Sequence, residues 1–299
     1  MIYSKPPLTF SAQIKLLEDR GLIINDKIMA ENYLSNISFY RLRAYTYPYQ
    51  NLKDPNHTFK KGITFKKIID DYIFDRKLKL IIFDAIEKIE ISLRTQLIYH
   101  YSLAHGGNWY SNKLLFKNED YHNQDLAQLE NEITRSNENF ITHFKAKYPS
   151  PQQPPAWMVF EIVSFGTLSK IFSNLEKNNE KKKVAEHFGL DIYIFQSWLH
   201  HITVVRNICA HHARLWNRDI PKIPKLPNRP KNTWIKENNE LRPNKVYTTL
   251  CCLRYLLNII SPNNNLKNKI VDLINNHPDI DITKMGFQEN WRNEYLWLL

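Results

Sequence analysis

Thirty-seven residues, Phe65 to Tyr101, pass without a glycine or proline while apolar side chains return every three or four positions. The stretch reads "FKKIIDDYIFDRKLKLIIFDAIEKIEISLRTQLIYHY". A strand repeats every two residues and cannot carry this pattern. The spacing predicts one long helix, or two stacked in line, ended by Gly106 and Gly107. An apolar face of that length obliges the rest of the chain to supply partner helices.

The flanking sequence does so. "TFSAQIKLLEDRGL" offers a cap at Thr9 or Ser11 and stops at Gly21, and "NDKIMAENYLSNI" opens at Asn25 or Asp26. "SFYRLRAYTYPYQ" alternates aromatics and reads as a strand or as a plug against the larger part. Beyond the long helix, "LAQLENEITRSNENFITHFKAKY" predicts shorter helices, and Pro155 opens one amphipathic helix over "AWMVFEIVSFGTLSKIFSNL". "EKNNEKKK" reads as a solvated charged turn and "VAEHFGL" as a short helix closed by Gly189. "IYIFQSWLHHITVVRNICAHHARLWNR" reads as an unbroken helix. The Pro-rich basic stretch "IPKIPKLPNRPKNTWIK" cannot be helical, and a last helical region spans Lys245 to Ile260. The expected class is mainly α: a small N-terminal helical and aromatic region (1–64), a helical core (65–218), and a C-terminal extension (219–299).

Composition narrows the chemistry. With 7 glycines and neither G-x-G-x-x-G nor G-x-x-x-x-G-K-[ST], a nucleotide-cradling loop is not expected. A net charge of +11 favours polyanionic partners. No run of eighteen apolar residues occurs, so no membrane role is expected. Cys209, Cys251 and Cys252 make no disulfide framework, and a reducing cytoplasm is the expected location. Richness in Asn, Lys and Ile suits an AT-rich bacterial genome.

The polar groups of "RNICAHHARLWNR" (206–218) stand out within an otherwise apolar helix. Phe195, Trp198, Ile202, Val205, Cys209, His212 and Trp216 form a core stripe, flanked by Arg206 and His211. On one ideal helix those two flanking residues stand about 140° apart, so they do not converge within a chain. Asn207, one turn ahead of His211, is placed to orient that ring. Cys209 and His212 have zinc-ligand spacing, but no second pair accompanies them, and no metal or other cofactor is expected.

This segment resembles the R-x-x-x-x-H signature of the HEPN superfamily, in the form carried by abortive-infection proteins of the AbiD/AbiF type. "RGLIINDKIMAENYLSNISFYRLRAYTYPY", "AIEKIEISLRTQL" and "PPAWMVFEIVSFGTLSKIFSNL" carry the same resemblance, over residues 8 to 225. It implies a HEPN-like bundle that dimerises with two motifs at the interface. It also implies a metal-independent endoribonuclease of phage defence or of a toxin–antitoxin pair, with a non-coding RNA as a potential regulator.

On this reading His211 transfers protons, Arg206 clamps phosphate, Asn207 orients and His212 assists. Histidine titrates near neutrality and arginine grips two phosphate oxygens, which suits attack by a ribose 2′-OH. Arg41, Arg43, Arg214, Arg218, Lys222 and Lys225 are the expected RNA contacts. The tyrosines around Arg41 and Arg43 read first as an aromatic core seam, and the lysines first as a solvated loop. Glu90 and Arg94 form either an intrahelical ion pair of small worth or a buried brace for the motif, and Glu161 faces either the motif or water. The rival expectations are a catalytically inactive RNA-binding scaffold and a module that binds protein alone.

Overall fold

The computed structural model of the chain describes residues 6–51, 53–148, 152–236 and 238–298. Every regular element among them is a helix. Helices α1 (Phe10–Asp19) and α2 (Lys27–Ile37) begin where short polar side chains meet orphan amides. The Thr9 hydroxyl accepts from the Ala12 amide, and the Asp26 carboxylate accepts from Met29. The aromatic stretch is helical too, correcting the strand expectation. Ser38 caps α3 (Phe39–Thr46), which turns Leu42 and Tyr45 inward and leaves Tyr40 and Arg41 exposed.

The long apolar run is one uninterrupted helix, α4 (Phe65–His105). Its 41 residues span about 60 Å, starting at a Thr64 cap and stopping at Gly106, whose φ is +82°. Helices α5 (Glu119–Arg135) and α6 (Asn139–Lys147) follow. Residues 149–151 of the Pro-rich break lie outside the described residues.

Where one helix was expected after Pro155, there are two pieces, α7 (Ala156–Val159) and α8 (Phe165–Asn174). Val163 is extended between them, and the Ser164 hydroxyl starts α8 by accepting from the Thr167 amide. The expected charged turn is also corrected, because most of it belongs to α9 (Asn179–His187). Lys181 is buried there, donating to the Ser173 and Leu175 carbonyls at the end of α8. Burial pulls its ammonium down to about 7. Helix α10 (Ile192–Ala210) stops eight residues short of the expected end at Arg218. Helix α11 (Val246–Ile260) matches its expected span, and α12 (Leu266–Asn275) and α13 (Tyr295–Leu298) complete the chain.

Helix α4 is the spine of the bundle. Helices α3, α8, α9, α10, α11 and α12 all pack on it. Its first turns join an N-terminal apolar cluster with Leu17, Leu34 and Leu42. From Phe74 onward it joins a larger core that also holds α10, the buried residues of α11 and Trp297.

Candidate functional site

The stripe on α10 is real: Phe195, Trp198, Ile202, Val205 and Cys209 are buried. Trp216 is buried as well, but from beyond the helix. The chain leaves the helix at His211, and His212 takes a left-handed φ of +55°. The Ala213 amide donates back to Ile208 and the His212 amide to Cys209, a pairing that usually places glycine where His212 stands. This corrects the expectation for His212. It is exposed and off the stripe, and so is His211. A non-glycine residue in this conformation costs about 1 kcal/mol, so other contacts must hold the turn.

Those contacts come from α3 and α4. Asp75, fully buried on α4, accepts from the Leu215 and Trp216 amides at 3.0 and 2.5 Å and from the Tyr45 hydroxyl at 2.6 Å. Lys79, one turn on, pairs with Asp75 at 3.0 Å and donates to the Ala213 carbonyl. Arg41 reaches across from α3 to the His212 carbonyl, and Arg214 reaches back to the Ala44 carbonyl. Burial and the Asp75 carboxylate push the Tyr45 phenol up, keeping it a hydrogen-bond donor. The sequence reading missed Asp75 and Lys79. Two charges on an otherwise apolar side of α4 were the available signal.

The motif therefore faces two ways. Arg206 and Asn207 line a trough of about 890 Å³ between α5, α8 and α10. His211 and His212 line a cleft of about 500 Å³ with Arg41, Tyr40, Arg214 and Arg218. A third cleft, containing Phe83, joins the second at Arg41 and His212. The Arg206 guanidinium stands 5.8 Å above the Phe83 ring, at the rim between trough and clefts. Asn207 does not orient the histidine. Its carbonyl accepts the His211 amide, while its exposed side chain faces the trough.

The remaining expected residues divide. Arg41, Arg214 and Arg218 gather at the histidine cleft, whereas Arg43 lies on another side of α3 beside Arg20. Lys222 and Lys225 are exposed, and their backbone carbonyls take the His201 ring and the Trp198 indole. His201 is fully buried, holding Thr249 at 2.8 Å, and burial pulls it down to about 4. On α4, Arg94 bonds Glu90 at 3.0 Å, the Val163 carbonyl at 3.3 Å and Glu161 at 3.6 Å. Burial pushes the Glu90 carboxyl up, opposed by the charges of Arg94 and Arg206. This trio therefore stands within electrostatic reach of the motif arginine.

A family model described as Abi-like protein matches residues 32–217, well over half of the chain. The chain belongs to the Abi-like protein family. Membership points to a role in abortive infection. The match runs from α2 through the turn after α10, so Asp75, Lys79, Arg206 and His211 lie inside it and α11 to α13 outside. No curated protein and no solved structure matches the Abi-like chain. Among the described residues, no helix is long and apolar enough to cross a membrane. Among them, too, no three His, Cys, Asp or Glu side chains gather as a metal site, and burial lifts the Cys209 thiol to about 12.

Proposed function

We propose that this Abi-like protein is a HEPN-type endoribonuclease acting in phage abortive infection or as the toxin of a toxin–antitoxin pair. The observation that carries the reading is the motif turn. Two histidines are held exposed among arginines by a buried charged brace, five and six residues beyond an arginine at a cleft rim.

In the proposed reaction a ribose 2′-oxygen bonds to the adjacent phosphorus as the bond from phosphorus to the 5′-oxygen breaks. One imidazole accepts the 2′-OH proton, and a protonated imidazole gives a proton to the departing 5′-oxygen. Arg206 holds the non-bridging oxygens, where negative charge builds. The products are a 2′,3′-cyclic phosphate and a 5′-hydroxyl. The nucleophile is the RNA's own, so the route uses no metal.

Arg206 and His211 line different clefts of one chain, which supports a site completed by two chains. Leu80, Phe83 and Ile91 are exposed on one side of α4 beside Arg206, with exposed Glu87 between Phe83 and Ile91, a mixed surface compatible with pairing two copies. A bound non-coding RNA fits the net charge of +11 as a regulator.

The deciding experiment compares RNA cleavage in EDTA by the wild type, Arg206→Ala and His211→Ala, alongside RNA binding and light-scattering mass. Cleavage lost in both variants with binding retained supports the proposal. Equal activity in all three removes it. One observation favours the rival of an inactive RNA-binding scaffold: among the described residues, no side chain hydrogen-bonds the His211 ring.

A further inference from the structure

Packing explains only part of the aromatic stretch ahead of the long helix. Tyr45 goes to the core and is 1% exposed, but Tyr40 and Tyr47 are 82% and 49% exposed. Single exposed rings are ordinary on a protein surface. These two share one face. Tyr40 and Tyr47 stand two helical turns apart, about 10 Å along α3 and its C-cap, with Ala44 between them. All three line the histidine cleft.

The motif turn and its exit supply the rest of that cleft, and they are cationic. Arg214 and Arg218 line it with Arg41 and the two histidines, and among the described residues no carboxylate does. The buried Asp75 carboxylate is already engaged by two amides, Tyr45 and Lys79. Arg41 donates to the His212 carbonyl at 3.0 Å, Arg214 to the Ala44 carbonyl at 2.9 Å and Arg218 to the Arg214 carbonyl at 3.3 Å. A guanidinium carries five N–H donors, so each keeps capacity for a ligand. The first two bonds run in opposite directions between α3 and the motif turn, which fixes the tyrosine face relative to His211.

Rings and guanidinium groups together define the ligand. An apolar molecule meets the rings but takes water from the arginines without replacing its bonds. A duplex offers phosphates, yet its base faces are already stacked on one another. An unpaired strand offers phosphates to the arginines and base faces to the tyrosines, and a volume of about 500 Å³ has room for a nucleotide.

We propose that Tyr40 and Tyr47 are positioning residues that stack on unpaired bases of the RNA, so that the N-terminal region supplies the wall that sets the strand beside His211. The inference rests on the proposed RNA function and assigns to α3 a part that the motif itself lacks. Stacking needs only a base face, so the wall favours unpaired strands without reading their sequence.

Fluorescence anisotropy on the full chain tests it with three probes: a 2′-O-methyl RNA strand, which lacks the nucleophile and stays intact, the same strand with abasic residues, and its duplex. The intact strand is expected to bind about five- to a hundredfold more tightly than the abasic one. Tyr40→Ala and Tyr47→Ala, with unchanged urea midpoints, each remove much of that advantage and leave duplex affinity as it was, because phosphate contacts carry the latter. Tyr40→Trp restores the advantage. Equal affinity for intact and abasic strands, a base-dependent advantage that neither alanine variant reduces, equal losses on strand and duplex, or no RNA binding at all each overturn the proposal. Base-dependent binding that follows Tyr40, together with no cleavage of ordinary RNA by the wild type, removes the nuclease reading and leaves the stacking wall in place.

Discussion

Arg206 and His211 belong to one motif but are held by different physics. Arg206 rides on the regular part of α10, positioned by the same buried stripe that packs the bundle. His211 and His212 sit where the helix has ended, in a turn fixed by Asp75, Lys79, Tyr45 and Arg41 from two other helices. Apolar packing tolerates small shifts, because dispersion and burial have no direction. A carboxylate bonded to two successive amides does not. The comparison teaches that a side chain within a helix can rely on the packing of that helix, while one just past its end needs a dedicated polar anchor.

The sharpest way to break that contrast is Asp75→Ala. It frees two amides and leaves Lys79, nearly buried, without its partner. Removing one member of a buried pair costs about 3–5 kcal/mol, so the unfolding free energy from urea titration is expected to fall by that amount, with a lower midpoint, and any cleavage with it. If stability is unchanged, the anchor is not what holds the turn. His211→Ala tests the other half. Its exposure predicts an unchanged midpoint, and the proposed proton transfer predicts about a hundred- to ten-thousandfold loss of RNA cleavage.

A third histidine sharpens the comparison from the core side. His201 is held at about 4, below the ordinary value near 6.5. Between those values the unfolded chain binds a proton that the folded chain refuses. Its contribution is therefore full above about pH 6.5, falls as pH drops through the window, and levels off below 4. The shift corresponds to roughly 3 kcal/mol, and acid unfolding curves of His201→Gln are expected to lack that slope. The smallest effect belongs to Glu161→Gln. Its carboxylate is half exposed and 3.6 Å from Arg94, so a stability loss under about 1 kcal/mol is expected in thermal melts.

Legibility in the sequence followed the range of the interaction. Thr9, Asp26 and Gly106 cap helices through bonds to residues three or four positions away, and their spacing announced them. The end of α10 left no such mark, because His212 occupies a position where glycine would have signalled the stop. Likewise, Ser164 restarts a helix inside what reads as a single amphipathic pattern, since the apolar period continues across the break. Arg206 and His211 were identifiable as polar exceptions on an apolar helix. Asp75, separated by 140 residues from the amide it anchors, was not.

By itself the sequence determined a mainly helical fold around the long apolar stretch from Phe65 to Tyr101, because a 3.6-residue apolar period is written between near neighbours. Only the tertiary structure decided that the motif histidines turn out to solvent while the arginine faces a separate trough. That outcome depends on carboxylates, amides and guanidinium groups meeting across distant helices, and no local spacing encodes where those meet.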